Sequence, residues 1–343
     1  MEGKFIKRMI ILEASNTYFG GGFVLLEQIL SYCENKAIPV KAYIGYAKVY
    51  HELLRRNYKY IELKKTTTIK TIFRYLQNRT NVLFFCNLPP FVRNSNSVLY
   101  AHNILFFKTP SIDKDQSFLF TFKKYIYYAW IKHFSRNVSV IACQTEDVKD
   151  SLSKYLNVSA GLFPFYKTLK PEKTNKEYDF CYVSSASPHK NHSKLFQAVD
   201  SLSDQYSFKL AVTIAKTPAN KELIAQIDAI NKRHNRKIIL NQGSITEKEV
   251  VLLYCKSRAL IFPSLQETIA LPLIEAIQCG LTVLSSDRPY SYQVLDNPIT
   301  FDPLNVESIK QTMEDNLAGK HKGINQNIKV ENKLSELIEL LQS

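Results

Sequence analysis

Residues 258–290 read RALIFPSLQETIALPLIEAIQCGLTVLSSDRPY, and the order of apolar runs and chain breakers in them decides the architecture. An apolar run ends at Pro263, a polar loop carries Glu267, and a second apolar stretch opens with Pro272, where a missing N–H costs a helix nothing. Gly280 stops that helix and a further strand starts at Thr282. Strand, loop, helix and strand in roughly thirty residues form the repeating unit of a parallel α/β sheet. The reading puts Glu267 in the loop and Glu275 in the first helical turn. Beside them lie the free N–H groups from Ala270 through Leu271 to Leu273 and the positive end of the helix dipole, which suit a phosphate. Two carboxylates next to such an end make poor phosphate ligands. They fit as acceptors for sugar and ribose hydroxyls on either side of a diphosphate. An acidic helix start with a solvated loop glutamate would carry the same letters, so the segment alone leaves both readings open.

Working outward, the alternation persists along the whole chain. In the second half YDFCYVSSA, FKLAVTIAK and KIILNQGS read as strands, and KLFQAVDSL, KELIAQIDAINKRH and EKEVVLLYCKS as helices. In the first half the strands are RMIILEA, VKAYIGY, NVLFFCN, SVLYAHN and VSVIACQ. The helices there are FVLLEQILSYCEN, a basic stretch over 50–79, the aromatic stretch after Phe118, and TEDVKDSLSKYL with Thr145 as its N-cap. Between the halves the chain turns polar and Lys-rich. The expected organisation is a Rossmann-like domain over 1–165, a linker over 166–177, a second Rossmann-like domain over 178–325, and a carboxy-terminal helix over 326–343 that crosses back to the first domain.

Bulk properties agree with an ordinary globular chain of two such domains: 343 residues, 45% hydrophobic and 22% charged, with only ten Gly and thirteen Pro. Six scattered cysteines form no C-x-x-C pair and have no histidine spaced to complete a zinc site, which favours a reduced, cytosolic compartment. The start, MEGKFIKRMIILEASN, reads as a first buried strand and is too short for a signal peptide. No run of eighteen apolar residues suggests a membrane span. The net charge of +14 is uneven. Residues 1–165 hold 23 Lys+Arg against 11 Asp+Glu, or +12; the remainder holds 22 against 20, or +2. One half is therefore expected to meet an anionic ligand or surface.

The spacing E-x7-E of Glu267 and Glu275, followed by Cys279-Gly280, a strand and S-D-x-P-Y, resembles the donor-site signature of family-four retaining glycosyltransferases of the GT-B fold, of the bacterial polysaccharide and O-antigen type. The resemblance implies two facing Rossmann-like domains with a central cleft. It also implies metal-independent transfer of a hexose from a UDP- or GDP-sugar donor, with no further cofactor. It assigns Glu267 to the transferred sugar and Glu275 to the ribose hydroxyls. The segment YDFCYVSSASPHKNHSKLFQA resembles the family's V-G-R-x-x-P-x-K-N, which makes Lys190 the lysine that pairs with donor phosphate. Two departures stand out. Thr268, Ile269 and Ala270 replace the usual Gly-Phe-Gly, and Ser185 replaces the usual arginine.

Two features of the first half join this set. Gly20, Gly21 and Gly22 follow the first strand and open a helix, which lets a ligand approach the backbone closely; a plain tight turn would look the same. His102 ends SVLYAHN, where the resembling family carries a histidine near the donor sugar; a structural histidine is the competing reading. Asp113 and Asp115 form a D-x-D with Lys114 between them in a polar loop, read as solvated, and no metal is expected.

The implied acceptor is a hydroxyl of a growing glycan or a lipid-linked oligosaccharide. Residues 48–79 carry nine bases against Glu52 and Glu62, and 118–136 carry four bases, no acid and the sole Trp130. These stretches suggest an anionic membrane as a surface partner, and a peripheral position on the inner face of the cell membrane. Competing readings are a GT-B sugar-nucleotide epimerase, a basic nucleic-acid-binding protein and a catalytically inactive sugar-nucleotide binder. The second leaves the glutamate pair unexplained and lacks a recognition helix or stacking motif, so nucleic acid is not expected as a partner.

Overall fold

The computed structural model describes residues 7–18, 20–85, 87–102, 118–157 and 159–343, the side chains of 118–124, 155 and 156 apart. The chain divides into two compact units, one of Met1–Tyr166 with Glu331–Ser343 and one of Lys167–Val330.

The first unit runs β1 (Ile10–Ala14), α1 (Gly21–Asn35), β2 (Val40–Ile44), α2 (Ala47–Leu54), β3 (Ile61–Lys65), α3 (Thr68–Tyr75), β4 (Thr80–Phe84), β5 (Ser95–Ala101), α4 (Phe118–Phe134), β6 (Val140–Cys143), α5 (Glu146–Ser151) and β7 (Gly161–Leu162). Its seven strands are parallel in the order β3-β2-β1-β4-β5-β6-β7. Central strands of such a sheet are covered on both faces, and β4 accordingly buries Val82, Leu83 and Phe84 in succession. The direction of strand order reverses between β1 and β4, so a crevice opens beyond their carboxyl ends.

The basic stretch 50–79, read as helix, is broken into α2, β3 and α3. Asn57 takes a left-handed φ of 48°, ending α2, and Ile61-Glu62-Leu63-Lys64-Lys65 pairs along β2 as the edge of the sheet. Lysine on an edge strand discourages pairing with other chains, and it also hides the strand from a reading by hydrophobic runs. Thr145 precedes α5 in extended conformation, but its side chain makes no capping hydrogen bond. Trp130 packs on the core of this unit, stacked on Phe91 at 4.6 Å with Nε1 donating to the Pro89 carbonyl at 2.9 Å.

The second unit continues with β8 (Tyr178–Tyr182), α6 (His192–Leu202), β9 (Leu210–Val212), α7 (Lys221–Arg233), β10 (Ile239–Asn241), α8 (Glu247–Cys255), β11 (Ser257–Phe262), α9 (Leu271–Gln278), β12 (Thr282–Ser286), α10 (Pro289–Val294), β13 (Leu295–Asp296), β14 (Ile299–Phe301), α11 (Val306–Leu317) and β15 (Asn327–Ile328). Six parallel strands lie in the order β10-β9-β8-β11-β12-β14, while β13 and β15 form a small antiparallel pair. Here the order reverses between β8 and β11.

The segment read as a linker is tied to the second unit. The Leu169 amide donates to Gln278 Oε1 at 2.5 Å, Gln278 Nε2 donates to the Lys167 carbonyl, and the Glu177 amide donates to the Lys256 carbonyl at 2.7 Å. The last helix, α12 (Leu334–Gln342), is shorter than the 326–343 span because Asn327 and Ile328 pair as β15. It belongs to the first unit, where Leu334, Leu337, Ile338 and Leu341 are buried against β4 and β5.

Candidate active site

In the second unit the strand reversal decides which loops meet. The loop after β8 and the loop after β11 leave adjacent strands at the same edge of the sheet. The first makes a tight turn at Pro188–Lys190; the second runs from Pro263 to Ala270. They are stitched by the Leu265 amide donating to the His189 carbonyl at 2.8 Å and by Asn191 Nδ2 donating to the Pro263 and Pro303 carbonyls at 3.2 and 2.7 Å. Tyr182 is fully buried under the turn, its hydroxyl donating to the Lys190 carbonyl at 2.7 Å.

That framework brings Lys190 and Glu267 into contact, with Lys190 Nζ donating to Glu267 Oε1 at 2.5 Å. Each side chain is 14% exposed, so the pair is shielded yet still reachable from solvent. The ammonium also lies 5.7 Å from the centre of the Phe262 ring. An ion pair without a third side-chain partner among the described residues is poised for exchange: an arriving anion can take the ammonium and free the carboxylate for a hydroxyl.

Ala270 stands at the N-cap of α9 with φ 47° and ψ 57°, left-handed, and Pro272 follows in the first turn. The Leu273 amide reaches the Ala270 carbonyl at 2.9 Å, while the amides of Ala270 and Leu271 precede the first intrahelical bond. Their side chains are buried, as are those of Leu273 and Ile274, which holds the helix end in place. Glu275 is the fifth residue of α9, just past the first turn in which the sequence places it, because the helix starts only at Leu271. Tyr254 on α8 donates its hydroxyl to Glu275 Oε2 at 3.0 Å. Burial pushes the Glu275 carboxyl up to about 7, while the Tyr254 hydrogen bond pulls it down and the neighbouring Glu247 pushes it up. Ser185 is exposed, its Oγ 3.1 Å from Ser187 Oγ, and brings no charge to the loop.

Three supporting residues are not singled out as site residues by the sequence. Tyr254 is set opposite Glu275 by helix packing, and no pattern in residues 21 apart announces that. Tyr290, the last letter of S-D-x-P-Y, donates its hydroxyl to the Ser264 carbonyl at 2.8 Å and fixes the start of the Glu267 loop. His192 is buried with Nε2 3.2 Å from Ser184 Oγ, and burial lowers its imidazolium to about 4, with Lys190 acting in the same direction.

The first unit has a set of its own. Gly20 adopts φ 121° and ψ −158°, a backbone region that a Cβ all but forbids, and α1 then opens with Gly21 and Gly22. A Cβ on Gly22 would stand 3.6 Å from His102 Nε2, so the glycine turn lies on the imidazole edge, and a Cβ on Gly21 would meet nothing. Asn87 anchors His102, its Oδ1 accepting from the His102 amide at 3.0 Å and its Nδ2 lying 3.4 Å from Nε2. The ring stacks on Phe85 at 4.5 Å. Burial lowers its imidazolium to about 4, so His102 is neutral at pH 7 and can exchange hydrogen bonds with a hydroxyl without adding charge.

Asp113 and Asp115 lie outside the described residues. Among the described residues no three His, Cys, Asp or Glu side chains are grouped to hold a metal ion. Cys33, Cys143, Cys181, Cys255 and Cys279 are buried and unbridged.

Two parallel doubly wound units, each with its polar residues beyond the carboxyl ends of the strands where the order reverses, define a protein of the GT-B class. Among solved structures, HepE of Anabaena in complex with UDP and glucose shares this fold with a TM-score of 0.68 over 98% of this chain and 95% of that one, at 10% identity. Residues 167–337 match the family described as glycosyl transferases group 1. Over 155 residues it is 30% identical to the O-antigen chain mannosyltransferase RfbU of Salmonella typhimurium, covering 44% of this chain and 42% of that protein. Over 132 residues it is 29% identical to the serotype-specific mannosyltransferase WbdA of Escherichia coli, covering 37% and 16%. The matched segments thus span less than half of these relatives.

Proposed function

We propose that the protein transfers a hexose, most simply mannose, from a nucleoside diphosphate sugar to a hydroxyl of a glycan or lipid-linked oligosaccharide, with retention at the anomeric carbon. The observation that carries the reading is the Lys190–Glu267 pair beside the left-handed start of α9, with Glu275 further along the same helix. Mannose comes from the names of the two relatives. The donor diphosphate meets Lys190 and the amides of Ala270 and Leu271, which stabilise the charge that builds on the leaving group without a divalent ion. Glu267, released by Lys190, accepts from the sugar hydroxyls, and Glu275 accepts from the ribose. Within the first unit Gly21, Gly22 and His102 are left to bind a sugar hydroxyl, and in the second Ser185 leaves Lys190 as the principal cation.

Donor hydrolysis with GDP- and UDP-linked mannose and glucose, joined to nucleotide titration, tests this. Glu275→Ala should weaken nucleoside diphosphate binding by ~2–4 kcal/mol, the loss of two charge-assisted hydrogen bonds. Glu267→Gln should lower turnover more than nucleotide affinity, and turnover should survive EDTA. Equal nucleotide affinity in wild type and Glu275→Ala would refute the ribose assignment, and activity restored only by Mn²⁺ would refute the electrostatic one.

A further inference from the structure

Helix α3 has its polarity turned around. The side facing the sheet carries Thr71, Arg74 and Tyr75. Arg74 grips the fully buried Glu13 of β1 in a two-pronged contact at 2.8 and 2.9 Å, joined by Arg79 at 2.8 Å, and its guanidinium lies 3.9 Å from the Tyr43 ring centre. Ile69, Ile72, Phe73 and Leu76, three and four residues apart, share one face and stand 68, 40, 63 and 53% exposed. Isolated apolar residues on a surface are ordinary; four in one stripe on a helix anchored through its other side are not.

The charges around this stripe identify what covers it. From Lys59 to Thr80 the single acid is Glu62, and it is already paired with Lys41 and Lys64. Lys65 at the end of the edge strand, four residues before Ile69, and Lys70 on the helix, three residues before Phe73, are exposed. Arg74 and Arg79 are held by Glu13, so the bases facing outward are lysines on long flexible stems. An apolar stripe with exposed lysines near it in sequence, and no unpaired acid within residues 59–80, suits an anionic lipid headgroup layer over hydrocarbon, and suits poorly a second copy of the same basic face.

We propose that the first unit docks on anionic bilayers through α3, with Ile69, Ile72, Phe73 and Leu76 entering the headgroup boundary and Lys65 and Lys70 meeting lipid phosphate. The inference stands independently of glycosyl transfer. Trp130, which packs on the core, is left out of the surface.

Flotation of the full chain with phosphatidylcholine vesicles, with and without phosphatidylglycerol, tests it alongside sedimentation of the chain alone. Binding is expected only with phosphatidylglycerol and should weaken as salt is raised. Ile69→Ser with Phe73→Ser should lower vesicle partitioning by about tenfold or more, as should Lys65→Glu with Lys70→Glu, with circular dichroism and nucleotide binding unchanged. Equal binding to neutral and anionic vesicles, binding untouched by either pair of changes, or no binding at all would overturn the proposal. A dimer broken by the serine changes in a chain that ignores vesicles would make the occupant a second copy and overturn it as well.

Discussion

Ala270 holds φ 47° at the point where the chain turns into α9, and its side chain is 3% exposed. A Cβ in that region crowds the neighbouring carbonyl, at a cost of about 1–2 kcal/mol that glycine avoids. The resemblance noted in the sequence places a glycine at this position, so the turn has kept its conformation while losing the residue that adopts it freely. Ala270→Gly should therefore stabilise the second unit by about 0.5 kcal/mol, part of the relieved strain being offset by the freer unfolded chain. Ala270→Val should cost ~2 kcal/mol or more, since a branched Cβ is worse still. Chemical denaturation of the two variants checks this, and a destabilised glycine variant would show that the alanine methyl matters more for packing than for strain. At this scale the sequence carried residue types and spacings but not contacts. Glu267 and Lys190 were quoted from segments 77 residues apart, and their meeting depends on β8 and β11 being neighbours. The Tyr254 hydroxyl on Glu275 was invisible for the same reason.

Among the elements, the legible ones are those buried on both faces. β1, β4, β5, β8 and β11 each hold three or more consecutive apolar residues, as in Ile10-Ile11-Leu12 and Phe180-Cys181-Tyr182, and stand out in the sequence. The edge strand β3, with alternating Ile61, Glu62, Leu63 and Lys64, was absorbed into a helix reading because charge on an exposed edge erases the apolar run. α12 depends on long-range packing in the same way. Its four buried side chains lie against β4 and β5, Asn96 Nδ2 donates to the Leu341 carbonyl at 3.1 Å, and Gln342 exchanges hydrogen bonds with the Arg8 backbone at 3.0 and 2.8 Å. Each fully buried Leu or Ile contributes roughly 1.5–3 kcal/mol, so removing the helix exceeds what ordering its nine residues costs only if those strands stay covered. A chain ending at Val330 should lose the unfolding transition of the first unit and keep that of the second, as read by calorimetry with a nucleoside diphosphate added to mark the latter. Two intact transitions would mean that α12 is peripheral.

For the molecule as a whole, each unit keeps a histidine neutral by burial, and the second also holds a carboxyl whose value burial raises toward neutrality. His102 and His192 have imidazolium values of about 4 in the fold against 6.5 when free. Their contribution is present above about pH 6.5 and is lost as the pH falls toward 4. Glu275 runs the other way, at about 7 in the fold against 4.5. The fold binds its proton more tightly than the unfolded chain does, so stability falls as the pH rises from 4.5 through 7. In the second unit the two effects oppose each other across the same window, and acidification from neutrality should change its unfolding temperature little. Replacing Glu275 by glutamine removes one side of that balance while retaining an acceptor for the Tyr254 hydroxyl. Glu275→Gln should be more stable than wild type by roughly 1–3 kcal/mol near pH 8, with the difference closing toward pH 4, where the wild-type carboxyl is protonated in both states. The variant's own stability should then drop on acidification, with His192 uncompensated. A gap that stayed constant from pH 8 to about pH 4 would place the Glu275 carboxylate in contact with solvent, and would remove burial as the cause of its raised value.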